Sequence, residues 1–360
     1  MGSFTSLQLK RSLASFPLDH DLLCDPLLSR YKNHVTAHIR AFEPDLVHIT
    51  SPGDFGILGL WVAHTLGVPL VASWHTNFHE YAARRLNKLF SFLPVRWRSP
   101  LCDAAEEQSL RAGLRFYGLA RFLLAPNQSM VDLLRERTGK PARLMAHGVD
   151  TTLFSPRQQE KRSAPFVIGY VGRLTPEKNV RLFAGLERSL LAAGQRDFRF
   201  VLVGDGNEKT WLKSNLRFGE TPGVLRGAAL AEAFAAMDVF VFPSQTDTFG
   251  LVLLEAMASG VPVVVSPSTA IRVGVRHGIT GFQAEGLAGY TQSVQHLMNN
   301  PGLQRTMGSA ARKFACSRGW DEVFDDLYRL YRAGLAEAGL SVTDHAAAEG
   351  APAGVLRGAS

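Results

Sequence analysis

Short apolar runs of strand length alternate with segments of helical spacing along most of this 360-residue chain. Such alternation predicts parallel sheets covered by helices. In the first half, residues 45–50 (DLVHIT), 69–73 (PLVAS), 121–125 and 142–146 read as strands, and 55–66 and 130–137 as helices. The polar, turn-rich stretch 147–161 then predicts an inter-domain linker. The alternation restarts with strands at 166–171, 198–203, 223–225, 239–242 and 262–266. Helices are expected at 180–193, 208–216, 230–237, 250–259, 290–299, 301–316 and 321–338. The expected fold is α/β, two Rossmann-like domains with parallel sheets facing across a cleft. The division is 1–150, 151–320, a C-terminal helix at 321–340, and an Ala- and Gly-rich tail at 341–360 expected to be disordered.

Composition adds limits. At 46% hydrophobic and 20% charged, the chain is globular in character. No run of 18 uncharged apolar residues predicts a spanning helix, and residues 1–16 lack the apolar core of a signal peptide. Cys24, Cys102 and Cys316 are far apart and odd in number, which argues against a disulfide framework or a zinc site. A cytoplasmic location is expected.

The net charge of +7 is unevenly placed: between Arg84 and Arg121, eight Arg or Lys face three acids, with Leu, Phe, Trp and Tyr interleaved. Such a segment fits peripheral contact with anionic lipid at the inner face of a membrane. It reads equally well as a solvated helix face over an ordinary apolar underside. No nucleic-acid motif accompanies it. Asn127-Gln128-Ser129 opens a helix and reads as a cap.

Candidate chemistry lies in the loops after strands. Residues 242–260, FPSQTDTFGLVLLEAMASG, run from a strand through a polar turn into a helix, with Asp247 and Glu255 eight apart across the turn. The first amides of such a helix form an anion site, and flanking carboxylates accept hydrogen bonds from ligand hydroxyls. Residues 172–179, GRLTPEKN, place Arg173 and Lys178 after a strand, where two cations can neutralise a leaving diphosphate. Gly204-Asp205-Gly206 ends another strand; its glycines suit a tight turn and a close approach, in the wall near a nucleotide base. His75, in SWHTNFHEY, follows a first-half strand and points into the expected cleft; His79 is further into the turn.

In this order, DLVHITSPG, SWHTNFHEY, AHGVDTTLF, YVGRLTPEKN and FPSQTDTFGLVLLEAMASG resemble glycosyltransferase family 4 over residues 16–335. These are retaining enzymes of the GT-B fold and include bacterial GDP-mannose-dependent α-mannosyltransferases. The resemblance implies that Gly172, Arg173 and Lys178 bind the donor diphosphate and that Glu255 binds the donor ribose. It implies that Phe249, Gly250, Leu251 and Val252 supply helix-start amides. Asp247 takes the place of the carboxylate on the sugar hydroxyls, and His75 lies by the sugar's reactive side. The implied reaction moves a hexosyl group, mannosyl from GDP-mannose first, to a hydroxyl of a lipid or glycan.

UDP-sugars are the runner-up donors, and a nucleotide-sugar binder without turnover is the alternative from another class. No resident cofactor or metal is expected, since no Asp-x-Asp of the kind that holds Mg²⁺ in other glycosyltransferases is found. An NAD-dependent dehydrogenase fits poorly, because no G-x-G-x-x-G follows the first strand of either half. Two departures from the family stand out. Asp247 occupies a position where the family usually has Glu, one methylene longer. No strand followed by Gly-Gly precedes residue 45, so the family's first strand, acceptor loop and helix are expected to be missing.

Overall fold

The computed structural model of the protein describes residues 6–19, 22–75, 95–156, 165–244, 250–269 and 274–337. The chain divides into two compact units. The first comprises Met1–Leu124, Asp132–Arg143 and Arg329–Ser360; the second comprises Ala125–Val131 and Leu144–Tyr328. The main segment of the second unit thus starts at Leu144, before the expected linker, and ends at Tyr328, inside the last helix. The expected tail at 341–360 lies outside the described residues, as do 84–94 of the basic segment.

The first unit opens with an antiparallel hairpin of β1 (Phe16–Asp19) and β2 (Leu22–Cys24). Two short strands therefore do precede residue 45, though among the described residues they pair only with each other. Then follow α1 (Lys32–Ala41), β3 (Val47–Ile49), α2 (Asp54–Leu66) and β4 (Leu70–Ser73). Next come α3 (Val95–Tyr117), β5 (Phe122–Ala125), α4 (Gln128–Thr138) and β6 (Ala142–Leu144). The sheet order is β3-β4-β5-β6, with β3, β4 and β5 paired in parallel. Every residue of β4 and β5 is buried, as a strand covered on both faces requires. Helix α1 escaped the sequence pattern because its sequence, KNHVTAHIRA, buries only Val35 and Thr36. The Asn127 side chain accepts from the Met130 amide at 2.9 Å, the N-cap expected of it.

The second unit contains β7 (Phe166–Val171), α5 (Leu182–Ala192), β8 (Phe198–Val203) and α6 (Lys209–Asn215). It continues with β9 (Gly219–Gly223), α7 (Gly227–Ala235), β10 (Val239–Phe242), α8 (Leu251–Ala258), β11 (Val263–Val265) and β12 (Gly281–Gln283). Helices α9 (Gly286–Asn299) and α10 (Pro301–Cys316) follow, and α11 (Trp320–Glu337) closes the chain. The six strands are parallel in the order β12-β11-β10-β7-β8-β9. Their core is dominated by fully buried Phe183, Phe200, Phe234 and Phe240.

One strand lies four residues earlier than expected: β9 is Gly219–Gly223, not 223–225. Its sequence, GETPG, carries two glycines and a proline and looks like a turn. It survives as a strand because it is the sheet's edge, where a residue without an N–H is tolerated.

The stretch expected to act as a linker is fixed to the second unit through residue 154. Arg312 of α10 donates to the carbonyls of Thr151 and Phe154 at 2.9 and 2.7 Å, and Val149 bridges to Gly319. Among the described residues no helix is long and apolar enough to cross a membrane. Cys24, Cys102 and Cys316 are free thiols.

Candidate functional site

In the second unit, β7, β8 and β9 run consecutively toward one edge of the sheet, while β10, β11 and β12 run toward the other. The order reverses between β7 and β10. In an open parallel sheet the crevice outside the carboxyl ends at such a reversal is where ligands bind, because the two flanking loops diverge there. The loops in question are 172–179, after β7, and 243–250, after β10. The register pairs Val239 with Ile168 and Phe240 with Gly169, so the two strands end level at Phe242 and Val171. Sequence spacing points at both loops; the topology puts their starts, Gly172 and Pro243, side by side.

The loop after β7 is held from two directions. The Tyr170 hydroxyl donates to the Arg173 carbonyl at 2.9 Å. The Gly172 and Leu174 amides donate to the carbonyls of Val203 and Asp205 at 3.0 and 2.8 Å. Those acceptors belong to the end of β8 and to the Gly204-Asp205-Gly206 turn, so the two loops form one backbone assembly.

These glycines permit a close approach by protein backbone. A Cβ on Gly204, at φ +140°, would sit 1.9 Å from the Gly172 oxygen; one on Gly206, at φ +157°, would sit 2.3 Å from that of Leu174. A Gly204→Ala chain is expected to lose on the order of 3 kcal/mol of stability, from overpacking plus backbone strain. A lowered denaturant midpoint would register this; an unchanged one would show that the loops can part without cost. Asp205 is exposed and pairs with Lys209 at 3.0 Å, which holds its carboxyl below the usual range.

On this frame the two cations differ. Arg173 is half-exposed and loosely paired with Glu177 at 3.6 Å, so its guanidinium can be recruited. Lys178 is only 8% exposed, in a single 3-10 turn (Pro176–Lys178). An ammonium buried to that degree requires polar or anionic company.

Helix α8 begins at Leu251 with Gly250 as its cap in the left-handed region (φ +68°). This is a conformation glycine reaches without steric cost. Leu251 is exposed and Val252 partly so, while Glu255 is half-buried one turn further in. No described residue hydrogen-bonds the Glu255 carboxylate, and burial pushes it up to about 7. Asp247 and Phe249 lie outside the described residues, as does His79.

Two residues that the sequence did not single out belong here. The side-chain oxygens of Thr175, after β7, and Ser244, after β10, are buried with no hydrogen-bond partner among the described residues. Unsatisfied buried hydroxyls are uncommon and call for an explanation.

In the first unit His75 follows β4, partly buried, two residues beyond Ser73. Its Nε2 lies 2.7 Å from Ser73 Oγ, which lies 2.8 Å from His48 Nε2 on β3. His48 Nδ1 in turn lies 2.6 Å from the hydroxyl of Tyr331 on α11. Burial, with His75 nearby, pushes His48 down to about 4, and burial also lowers His75. Both rings are therefore neutral near pH 7. The sequence held one clue to His48, a histidine inside the apolar strand DLVHIT. It held none to Tyr331.

Comparison with known proteins agrees with both units. The model of glycosyltransferase family 4 matches residues 12–153, and that of group 1 glycosyl transferases matches 165–300. A GDP-mannose-dependent alpha-mannosyltransferase of Mycolicibacterium smegmatis is 33% identical over 84% of this chain and 77% of its own length. The enzyme of the same name from Mycobacterium tuberculosis is 31% identical over 82% and 74%. Among solved structures, Anabaena HepE in complex with UDP and glucose superposes with a TM-score of 0.64 at 19% identity, over 86% of this chain and 82% of HepE. That likeness establishes the two-domain GT-B fold. With both family models and relatives at this identity in agreement, the chain belongs to glycosyltransferase family 4.

Proposed function

We propose that this protein transfers a hexosyl group, mannosyl from GDP-mannose, to an acceptor hydroxyl with retention at the anomeric carbon. The observation that carries the reading is that the chain leaves β7 and β10 side by side at the strand-order reversal, with no hydrogen bond to the Glu255 carboxylate among the described residues. Arg173, Lys178 and the amides of Gly250, Leu251 and Val252 then bind the diphosphate. The Thr175 and Ser244 hydroxyls donate to phosphoryl or neighbouring ligand oxygens, which accounts for their lack of partners among the described residues. Glu255 accepts from the ribose hydroxyls. Asp247 and His75 are assigned to the sugar. The identity to the two mannosyltransferases favours mannose and guanine.

Retention follows from a front-face route. The acceptor oxygen bonds to the anomeric carbon on the side from which the diphosphate departs, and its proton passes to a diphosphate oxygen. Charge grows on the leaving group as the glycosidic bond breaks, and fixed cations and amides stabilise that charge more than the ground state. The donor is a substrate, and no resident cofactor enters this reading. The acceptor is a lipid or glycan hydroxyl. An open cavity of about 660 Å³ beside His48, walled by Val35, Ile39, Leu58 and Val62, supports an apolar acceptor.

Thermal stabilisation by GDP- and UDP-sugars, followed by acceptor trials with the best donor, tests the proposal. GDP-mannose is expected to stabilise most and to be consumed with an α-linked product. Preference for UDP-glucose would replace the donor, and binding without turnover over a broad acceptor set would replace the activity. We further propose a cytoplasmic protein that meets membranes at the inner face through 84–121. Co-sedimentation with vesicles rich in anionic lipid, lost at high salt, is the expected result; equal recovery with neutral vesicles would remove that contact.

A further inference from the structure

The alternation of side chains along a strand puts every second residue on one face of the sheet. His48 is paired with Val71 in the register of β3 and β4, so Ser73, two residues on, shares its face. Tyr331 reaches that face from α11, and its ring meets the His48 ring edge-on at 5.7 Å. Four groups are thereby joined in one line by contacts of 2.6, 2.8 and 2.7 Å: Tyr331 hydroxyl, His48, Ser73 hydroxyl, His75. Ser73 itself is fully buried, and its carbonyl accepts from the Tyr117 hydroxyl at 3.3 Å. The middle of the line is fixed by the packed sheet.

A neutral imidazole has one N–H and one acceptor nitrogen, and a hydroxyl has one proton to give. Where such a line runs in one donor direction, that direction sets the tautomer of every ring in it. A phenol is a far stronger acid than an aliphatic hydroxyl and donates readily to a neutral imidazole. We infer that Tyr331, acting through His48 and Ser73, positions His75 and fixes its tautomer, with the proton on Nδ1 and Nε2 accepting from Ser73. The Tyr331 hydroxyl donates to His48 Nδ1, His48 Nε2–H donates to Ser73 Oγ, and Ser73 O–H donates to His75 Nε2. Tyr331, His48 and Ser73 are positioning residues. Their use in transfer rests on the role given above to His75 beside the sugar.

Two measurements on the full-length protein separate the relay from that role. Two-bond nitrogen–proton spectra of histidine-labelled protein at pH 8 report the tautomer of each ring. The wild type is expected to show His48 as Nε2–H and His75 as Nδ1–H. Ser73→Ala and Tyr331→Phe should each convert His75 to a mixture; Tyr331→Phe removes a single oxygen and keeps the measurement possible should Ser73→Ala fold poorly. In mannosyl transfer both variants should lose at least about tenfold in kcat with the donor KM unchanged, as a wrongly oriented or tautomerised histidine does elsewhere. His75 as Nε2–H in the wild type, or an unchanged Nδ1–H in both variants, overturns the relay whatever the activity. A changed tautomer with unchanged kcat keeps the relay and overturns instead the role of His75 in transfer.

Discussion

Replacing Lys178 by alanine is expected to weaken GDP binding by on the order of 10- to 100-fold, the worth of one or two charge-assisted hydrogen bonds to a phosphate. Arg173→Ala should lose at the lower end of that range, because its side chain is half-exposed and already shared with Glu177, whereas Lys178 is enclosed. Neither change should alter folding much. Arg173 contributes its carbonyl, not its side chain, to the bond with Tyr170, and the loop's amides are held by the backbone of β8 and the turn after it. Calorimetric titration with GDP beside a thermal melt makes the comparison. Normal affinity with a large drop in melting temperature would assign both residues to structure.

The affinity for GDP-mannose is expected to rise with pH through neutrality. A buried carboxyl resists ionisation, and Glu255 titrates near 7. If only its ionised form accepts from the ribose, affinity increases about tenfold between pH 6 and pH 8. The donor's own phosphates carry no proton in this range, and Glu255→Gln should bind weakly and flatly across it. The stability of the ligand-free protein moves the other way. The folded state holds this proton more tightly than the unfolded one, whose carboxyl titrates at its ordinary 4.5. The contribution is therefore whole below pH 4.5, declines as pH rises, and is gone above about 7. The largest thermal shift from GDP-mannose should accordingly appear at pH 8. A pH-independent affinity in the wild type would remove Glu255 from the donor site.

How far the sequence reaches depends on the range of the interaction that fixes each feature. Strands β7, β8 and β10 stand where the apolar runs place them, because a strand covered on both faces is written as a mostly continuous apolar run, broken here only by Arg199 in β8. The positions of Arg173, Lys178 and Glu255 in the fold were legible for a related reason: each lies within a few residues of such a strand or of a helix start, so the local pattern locates it. Strand β9 was misplaced because an edge strand is held by one neighbour and keeps little pattern of its own. Helix α1 was missed because it buries so few side chains.

Other features have no local signature. The glycines of Gly204-Asp205-Gly206 suggest a close approach, but only the folded chain says that the Gly172 carbonyl is one of the approaching groups. The hydroxyls of Thr175 and Ser244 look ordinary in sequence, and burial without a hydrogen-bond partner among the described residues marks them. His48 and Tyr331 are 283 positions apart and meet because the last helix returns to the first unit.

By itself, then, the sequence determined the order of strands and helices, the family motifs and the cations and carboxylate that follow particular strands. All of these are encoded in side-chain periodicity over a few residues. Tertiary structure alone decided that the strand order reverses between β7 and β10, that two glycine loops lock together, and that a tyrosine, two histidines and a serine form one hydrogen-bonded line. Each of these is a contact between distant parts of the chain, and its geometry exists only once the sheets have assembled.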